Sequence, residues 1–263
     1  LEYPGTEIRG KKRDTLLVAL LGVLILLLLR ISGKYGYLTI MSVVFNSLVF
    51  LFGIWYGGDI EKIFQICCIL SLVFVVLTMF ILNGIGRRTW EALVATLLVL
   101  LFAMLLFIGV MNHTPELDYT TMEYFDLQSI DNPEEIFKAE ILLSGLGAIM
   151  DVAVAISTSL EEIAEKKQDV GIKALVLSGR EIGYDIMGTM INVVMFVFLC
   201  SLMPACLIYM NNGVSLLTIM KLYVPCEIGR FLVESIAIVW SIPVSIGVTI
   251  LFILVSKKIR GGR

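Results

Sequence analysis

The stretch GAIMDVAVAISTSLEEI, residues 147–163, decides the fold class of this chain. It places one aspartate, Asp151, inside an apolar run that is long enough, with its neighbours, to cross a lipid bilayer. A carboxylate at membrane depth is costly, and it is usually kept for a proton relay, an ion path or one buried partner. The stretch therefore predicts a membrane helix that carries a functional acid.

The rest of the chain repeats this apolar character. Its 263 residues are 58% hydrophobic and 16% charged, whereas about 25% of the residues of a soluble domain are charged. Because roughly 20 apolar residues cross a bilayer, we predict about seven spans. They lie at residues 14–32, 37–57, 61–83, 89–111, 136–160, 183–209 and 229–256. The apolar blocks are continuous and do not alternate, which predicts an all-α integral membrane protein and disfavours a transmembrane β-barrel.

The spans and loops predict one transmembrane domain, residues 14–263, behind an N-terminal stub, residues 1–13. Cytoplasmic loops carry an excess of lysine and arginine. This rule places the C-terminus and the loop at 161–182 in the cytoplasm, and the acidic loop at 112–133 outside.

The N-terminus does not follow the same rule. Seven crossings put it outside, although it carries Lys11, Lys12 and Arg13. We expect that an upstream segment, such as a further helix with an outside domain, is missing before Leu1. The alternative is that one helix has been miscounted.

Several functional classes are disfavoured. The only histidine is His113, and none of the five cysteines has metal-ligand spacing (Cys67, Cys68, Cys200, Cys206 and Cys226). No Walker loop, dinucleotide fingerprint or nucleophile elbow is present. We therefore predict no metal, no cofactor, no catalytic residue and no enzymatic activity.

Polar residues recur at helical spacing within the last three predicted spans, where residues three, four or seven apart share a face. From them we predict a proton or ion relay centred on Asp151, with Asp151 facing protein or a water cavity. The relay candidates are Asp151, Asp185, Arg230, Glu227, Glu234, Asn192, Thr158 and Glu162, and the helix-packing candidates are Gly147, Ala155 and Gly188.

Other interpretations stay open for part of this set. Asn192, Thr189 and Thr158 are also typical of hydrogen bonds that join membrane helices. The acids Glu161, Glu162 and Glu165 are typical of a solvated helix end. Two further segments, residues 171–182 and 214–224, fit either amphipathic helices along the membrane surface or ordinary loops.

Three stretches of the chain resemble the YibE/F family of bacterial membrane proteins: residues 145–163, 178–192, and 227–236 with Ile242 and Pro243 after it. Residues 83–92 form a weaker fourth match. The resemblance implies a multi-pass protein of the bacterial cell membrane, in a family where some members carry an outside domain before the helices.

Two positions depart from the family pattern. Tyr184 stands where arginine is usual, and Glu234 stands where glycine is usual. One cation is lost and one anion is gained among the polar residues, so this member could be one half of a pair of related subunits. The partners expected are the bilayer and a second copy or related subunit, and no nucleic acid.

A more distant resemblance is to the membrane half of the resistance-nodulation-division and SecD/SecF type permeases. They share the order of an aspartate-bearing helix, a cytoplasmic amphipathic segment and two more spans. In those permeases the aspartate takes part in proton coupling, but fold alone does not fix function.

The leading hypothesis is a proton- or ion-coupled permease subunit of unknown substrate. A carboxyl balanced between burial and a nearby cation, here Asp151 and Arg230, can load and release a proton. The alternative is a non-transporting scaffold or signalling subunit in which the two residues form a structural pair. An intramembrane hydrolase that uses Asp151 and Asp185 is a third and weaker interpretation.

Overall fold

The computed structural model of the chain describes residues 4–56, 63–113, 133–166, 170–222 and 224–261, and all regular structure within these ranges is helical. The helices, in chain order, are α1 (Pro4–Ser32), α2 (Lys34–Tyr56), α3 (Ile63–Asn83), α4 (Arg87–His113), α5 (Pro133–Ser144), α6 (Leu146–Lys166), α7 (Ile172–Asn211), α8 (Leu216–Leu222) and α9 (Val224–Gly261). Residues 114–132, which make up most of the predicted acidic loop at 112–133, lie outside the described residues.

Seven segments of the described chain are long and apolar enough to cross a membrane. They are Asp14–Ser32, Lys34–Trp55, Ile63–Asn83, Arg87–Val110, Glu135–Lys166, Ile172–Asn211 and Glu227–Ser256. The prediction of an all-α multi-pass membrane protein is therefore confirmed. The fifth span is built from two helices, because the helical run is interrupted at Gly145 between α5 and α6.

Helix α9 forms the centre of the bundle and packs against α4, α6 and α7. Its residues Ile238, Ile242 and Ile246 recur every fourth position and so form one ridge. They share a buried cluster with Val152 and Ile156 of α6. Branched apolar side chains thus fill the space between α6 and α9.

Close approach between α7 and α9 depends on two glycines. A Cβ atom on Gly183 would lie 2.5 Å from Ile242 Cγ2, and one on Gly179 would lie 2.8 Å from Ile246 Cγ1. No larger residue fits at these positions without a shift, so the small residues set the distance between the two helices. The packing role predicted for Gly188 is not seen among the described residues of this chain, because a Cβ atom there would have no neighbour within 4 Å.

The segment at 171–182 is neither a loop nor a separate surface helix. From Ile172 it forms the first turns of α7, and Leu175 is buried in the same cluster as Ile250 and Ile253 of α9. At 214–224, a separate short helix, α8, does form. The predicted cytoplasmic loop at 161–182 is thus mostly helical, since α6 continues to Lys166.

Helices α1 and α2 lie at the side of the bundle, where α1 packs on α2 and α2 packs on α3. One interhelical hydrogen bond joins α2 to α3, in which Asn46 Nδ2 donates to Thr78 Oγ1 at 2.7 Å. The charged and polar residues described below lie mainly on α4, α5, α6 and α9.

Candidate functional site

Two arginines and three glutamates meet where α4 begins and α6 ends. Arg87 Nε lies 2.8 Å from Glu91 Oε1 and 3.2 Å from Glu161 Oε1. Arg88 Nε lies 3.0 Å from Glu161 Oε2, and Arg88 Nη2 lies 2.7 Å from Glu165 Oε2. We call these five residues the Arg87 cluster. Arg87 and Glu91 on α4 are four residues apart, as are Glu161 and Glu165 on α6, so each pair lies on one face of its helix.

The cluster is partly buried and its hydrogen bonding is incomplete. Glu91 is 0% exposed and the side chain of Glu161 is 7% exposed. Glu91 Oε2 and Arg87 Nη2 are both buried and lack a hydrogen-bond partner among the described residues. Glu91 and Glu161 both contact Arg87 Nε, and Glu161 and Glu165 both contact Arg88. Three carboxylates therefore share two guanidinium groups, and the fully ionised cluster carries one excess negative charge.

A cleft of about 1100 Å³ opens at the Arg87 cluster. Its polar lining includes both arginines, Glu161 and Glu165, with Thr158 beside them on α6. The remaining lining residues are Tyr35, Leu82, Asn83, Gly86, Thr89, Ala164, Ile253 and Ser256. The cleft can therefore admit water or a small polar solute to the cluster.

A second charged group lies where α9 begins. Arg230 Nη1 donates to Glu140 Oε1 of α5, and Arg230 Nη2 lies 2.6 Å from Glu227 Oε2. One turn further along α9, Glu234 accepts a hydrogen bond from Ser144 Oγ at the end of α5. We call these five residues the Arg230 cluster. Gly145 allows this contact, because a Cβ atom there would lie 3.3 Å from Glu234 Cγ.

Buried hydroxyl groups on α9 and α6 lie between the two clusters. Ser241, Ser245 and Thr249 recur every fourth residue on α9, and each is 0% exposed. Thr249 Oγ1 donates to Ser157 Oγ of α6 at 3.0 Å. Ser157 is also fully buried and precedes Glu161 by one helical turn.

The series is long enough to cross the apolar layer. The rise along α9 from Glu234 to Thr249 is about 22 Å, and the turn of α6 from Ser157 to Glu161 adds about 6 Å. The hydrocarbon core of a bilayer is roughly 30 Å thick. We call this series, from Glu234 through the four hydroxyl residues to Glu161, the polar path.

The polar path has one apolar interval. Ala237 and Ile238 are buried between Glu234 and Ser241, two turns of α9 apart. Ser241 Oγ donates to the Ile238 carbonyl oxygen at 2.7 Å, and Pro243 has no N–H to donate to the carbonyl of Val239. Ser235, next to Glu234, has a buried hydroxyl without a partner among the described residues, and from Ala237 to Val239 the polar atoms of α9 are backbone oxygens.

Some predicted relay residues do meet. Glu227, Arg230 and Glu234 all belong to the Arg230 cluster, and Thr158 lines the cleft. Arg230, which we expected beside Asp151, pairs instead with Glu140 and Glu227. The bundle-end position of Glu140 explains the change, because it brings a second carboxylate to the same guanidinium.

Asp151 does not point into the bundle of this chain. Asp151 is exposed on α6, and the polar core centred on it with Arg230 does not form. The physical reason is that Val152, Ile156 and Leu160 occupy the interface with α9, so the opposite side of α6 points outward. Gly147 lies on that outward side, with open space around it, and Ala155 is half-buried.

Three further candidates stand apart from the clusters. Asp185 and Asn192 are exposed on α7, and the Asn192 amide donates to the Gly188 carbonyl of its own helix. Glu162 is exposed and pairs with Lys166 at 2.6 Å, as expected for a solvated helix end. That interpretation is wrong for its neighbour Glu161, which is buried.

Several residues of the site were missed by sequence reasoning. These are Arg87, Arg88, Glu91, Glu140, Ser157 and Thr249. The i, i+4 spacing of Arg87 with Glu91, and of Ser245 with Thr249, was a signal that could have identified some of them. Nothing in the sequence paired Thr249 with Ser157, which lie 92 residues apart.

Comparison with known proteins addresses the family. The sequence model of the YibE/F-like protein family matches residues 20–254, which is most of the chain. The chain belongs to the YibE/F-like family. Curated proteins and solved structures gave no match. Within the described residues of this YibE/F-like chain, no group of three or more histidine, cysteine, aspartate or glutamate side chains is placed to hold a metal ion.

Proposed function

We propose that this chain is a permease subunit that moves protons across the membrane along the polar path, coupled to an unidentified solute. The observation that carries this proposal is the buried hydrogen bond between Thr249 of α9 and Ser157 of α6, which lies one helical turn before Glu161. Hydroxyl groups both donate and accept hydrogen bonds, so a series of them can pass a proton between ordered waters.

The Arg87 cluster would take up the proton at one end. Glu91 and Glu161 compete for Arg87 Nε, and a carboxyl group can donate to its neighbour only when it carries a proton. Two carboxylates that share a site do not both ionise freely. The pair would therefore exchange one proton with water in the cleft and pass it toward Ser157.

The apolar interval at Ala237 and Ile238 would be the barrier of the path. Water has to enter between Glu234 and Ser241 for a proton to cross, and a movement of α9 near Pro243 is the simplest way to admit it. A closed barrier of this kind prevents a leak when no solute is bound.

Topology follows from charge. Arg87, Arg88 and Lys166 lie at one end of the bundle, and basic residues favour the cytoplasmic side. The proposal places the Arg87 cluster and the C-terminus at the cytoplasmic face of a bacterial plasma membrane. The Arg230 cluster and the N-terminus then lie at the outer face.

The test compares two threonine-to-valine variants, a substitution that removes a hydroxyl group and nearly keeps the shape of the side chain. Full-length chain is reconstituted in liposomes, and proton entry is followed with an internal pH dye under an imposed membrane potential. Thr249→Val removes a hydroxyl from the path, so we expect proton flux to fall about tenfold or more, by analogy with the loss of one positioned proton-transfer group. Thr189→Val removes an exposed hydroxyl of α7 and should leave the flux unchanged.

Equal flux through wild type and Thr249→Val would contradict the polar path. Flux that fell equally in both variants would also contradict it, because the loss would then not depend on the buried hydroxyl. Circular dichroism and gel filtration are the checks that both variants are folded.

A second candidate function is favoured by the outward position of Asp151. A carboxyl that faces hydrocarbon is costly, so a protein partner that covers α6 would remove that cost. This arrangement suits a scaffold in which the chain pairs with a second copy or a related subunit.

A further inference from the structure

We infer that the cleft at the Arg87 cluster binds a small oxyanion, a carboxylate or a phosphate, on the guanidinium group of Arg87. This inference rests on the proposed proton path and names the class of solute that would move with the proton. It comes from the unused hydrogen-bond donors of the cluster, the shape of the cleft and the balance of charge.

The arginines retain donor capacity after their contacts with glutamate. Arg87 contacts both of its carboxylates through Nε, and its Nη2 has no partner among the described residues. Glu161 has no such surplus, since Oε1 contacts Arg87 and Oε2 contacts Arg88. A guanidinium group has five N–H donors in a planar fork that matches carboxylate and phosphate oxygens. Arg87 lines the cleft and its side chain is 36% exposed, so this residue can donate to an acceptor in the cleft.

The walls of the cleft suit an anion of modest size. Its volume of about 1100 Å³ exceeds that of a small organic acid, so both solute and water can enter. Gly86, Arg87, Arg88 and Thr89 line it at the first turn of α4. The backbone N–H groups of a first turn have no partner within the helix and favour negative charge, which adds to the effect of the arginines.

Charge balance couples the anion to the proton. Among the described side chains, the charged or titratable residues that line the cleft are Arg87 and Arg88 of α4, Glu161 and Glu165 of α6, and Tyr35 of α2. Glu91 lies behind Arg87, and the described lining residues of α3 and α9 are the uncharged Leu82, Asn83, Ile253 and Ser256. A proton taken up by Glu91 and Glu161 removes one carboxylate from competition for Arg87. An oxyanion then replaces that carboxylate, so proton and anion bind together.

An oxyanion at this site has two sources, because a phospholipid headgroup carries the same phosphate group as a free solute. The experiment separates them through the lipid. Phosphatidylcholine nanodiscs offer no net anionic headgroup, whereas nanodiscs with added phosphatidylglycerol do. If phosphatidylglycerol displaces bound succinate or inorganic phosphate, the headgroup is the ligand; if it does not, the ligand is the free solute.

The test is titration calorimetry of the full-length chain in phosphatidylcholine nanodiscs, with succinate and inorganic phosphate as separate probes. We expect binding of at least one probe to strengthen as the pH falls. Arg87→Gln should weaken that binding about tenfold or more, the loss expected for charge-assisted hydrogen bonds. The matched control is Arg180→Gln, which removes an exposed arginine that lies over the Tyr184 ring of α7.

A gain of binding guards against variants that merely fail to fold. Glu161→Gln removes one carboxylate that competes for Arg87 and Arg88. It should bind the anion more tightly than wild type at neutral pH, and with little further change as the pH falls. An unfolded protein would not bind more tightly.

Three results would overturn the inference: neither probe binds the wild type at any pH, Arg87→Gln binds as tightly as wild type, or Glu161→Gln binds more weakly than wild type. Failure of the proton path is a separate result. If Thr249→Val leaves proton flux unchanged while Arg87→Gln abolishes anion binding, the cleft is an anion site and the polar path is wrong. If proton flux depends on Thr249 but no anion binds, the path stands and this inference is wrong.

Discussion

Two sets of polar residues lie in the membrane-crossing helices, and the bundle treats them in opposite ways. Ser241, Ser245 and Thr249 are fully buried in the centre of the bundle. Asp151 and Asn192 are exposed on its outside. The buried set recurs every fourth residue on α9, whereas the exposed pair lies on α6 and α7 and contains the ionisable carboxyl of Asp151.

The difference teaches that polarity does not decide which face of a membrane helix is interior. Lipid is as apolar as leucine, so helices associate through close packing, and the face that packs best is buried. On α6 the packing face carries Val152, Ile156 and Leu160, and the hydroxyl of Ser157 is buried with them. The carboxyl of Asp151 is then left outward, where only a second protein surface could cover it.

The largest expected effect tests the orientation of α6 directly. In a cysteine-free background, Asp151→Cys should be labelled almost completely by a maleimide in detergent, and Ser157→Cys should remain almost unlabelled, because the first side chain is exposed and the second is fully buried. Labelling is measured by intact-protein mass spectrometry. If Ser157→Cys reacts faster than Asp151→Cys, the orientation of α6 described above is wrong. Protection of Asp151→Cys in liposomes but not in detergent would support a covering partner.

The next effect compares two adjacent glutamates at the end of α6. Glu161→Ala removes the buried carboxylate that Arg87 and Arg88 share, while Glu91 and Glu165 still pair with them, so we expect a loss of about 1.5–3 kcal/mol in the free energy of unfolding, as for hydrogen bonds to charged groups. Glu162→Ala removes an exposed partner of Lys166 and should not differ measurably from wild type. Unfolding in mixed micelles, followed by tryptophan fluorescence, gives both values. Equal losses would mean that burial at Glu161 has no energetic role.

The smallest effect compares two glycines of α7. Gly183→Ala forces a methyl group against Ile242 and should cost about 1–3 kcal/mol of stability. Gly188→Ala meets open space and should be neutral or stabilise the helix slightly, because alanine is the better helix former. The same unfolding assay measures both. A Gly188 variant that is as unstable as the Gly183 variant would show that the outward side of α7 is packed against something.

Much of the fold could be predicted because hydrophobicity is a local property. The seven spans follow from runs of apolar residues, and the structure moves their ends by only a few residues in most cases. The interruption at Gly145 and the extension of α7 back to Ile172 were not predicted. Both depend on contacts with α9, at Glu234 and Ile250 among others, and no local pattern contains them.

The candidate site could be predicted only at one end. Glu227, Arg230 and Glu234 stand close together in the sequence, so their spacing on one helix was enough to group them. Glu140 joins them across 90 residues, and Arg88 meets Glu161 across 73. The sequence lists such charges without saying which of them meet.

The sequence by itself determined that this chain is an all-helical, multi-pass membrane protein with acids at membrane depth, because the transfer of side chains into hydrocarbon depends on each residue and its near neighbours. Only the tertiary structure decided that Asp151 points outward while Ser157, Thr249 and Glu161 point inward. That choice depends on how the branched side chains of α6, α7 and α9 interlock, and such packing is a property of several helices together.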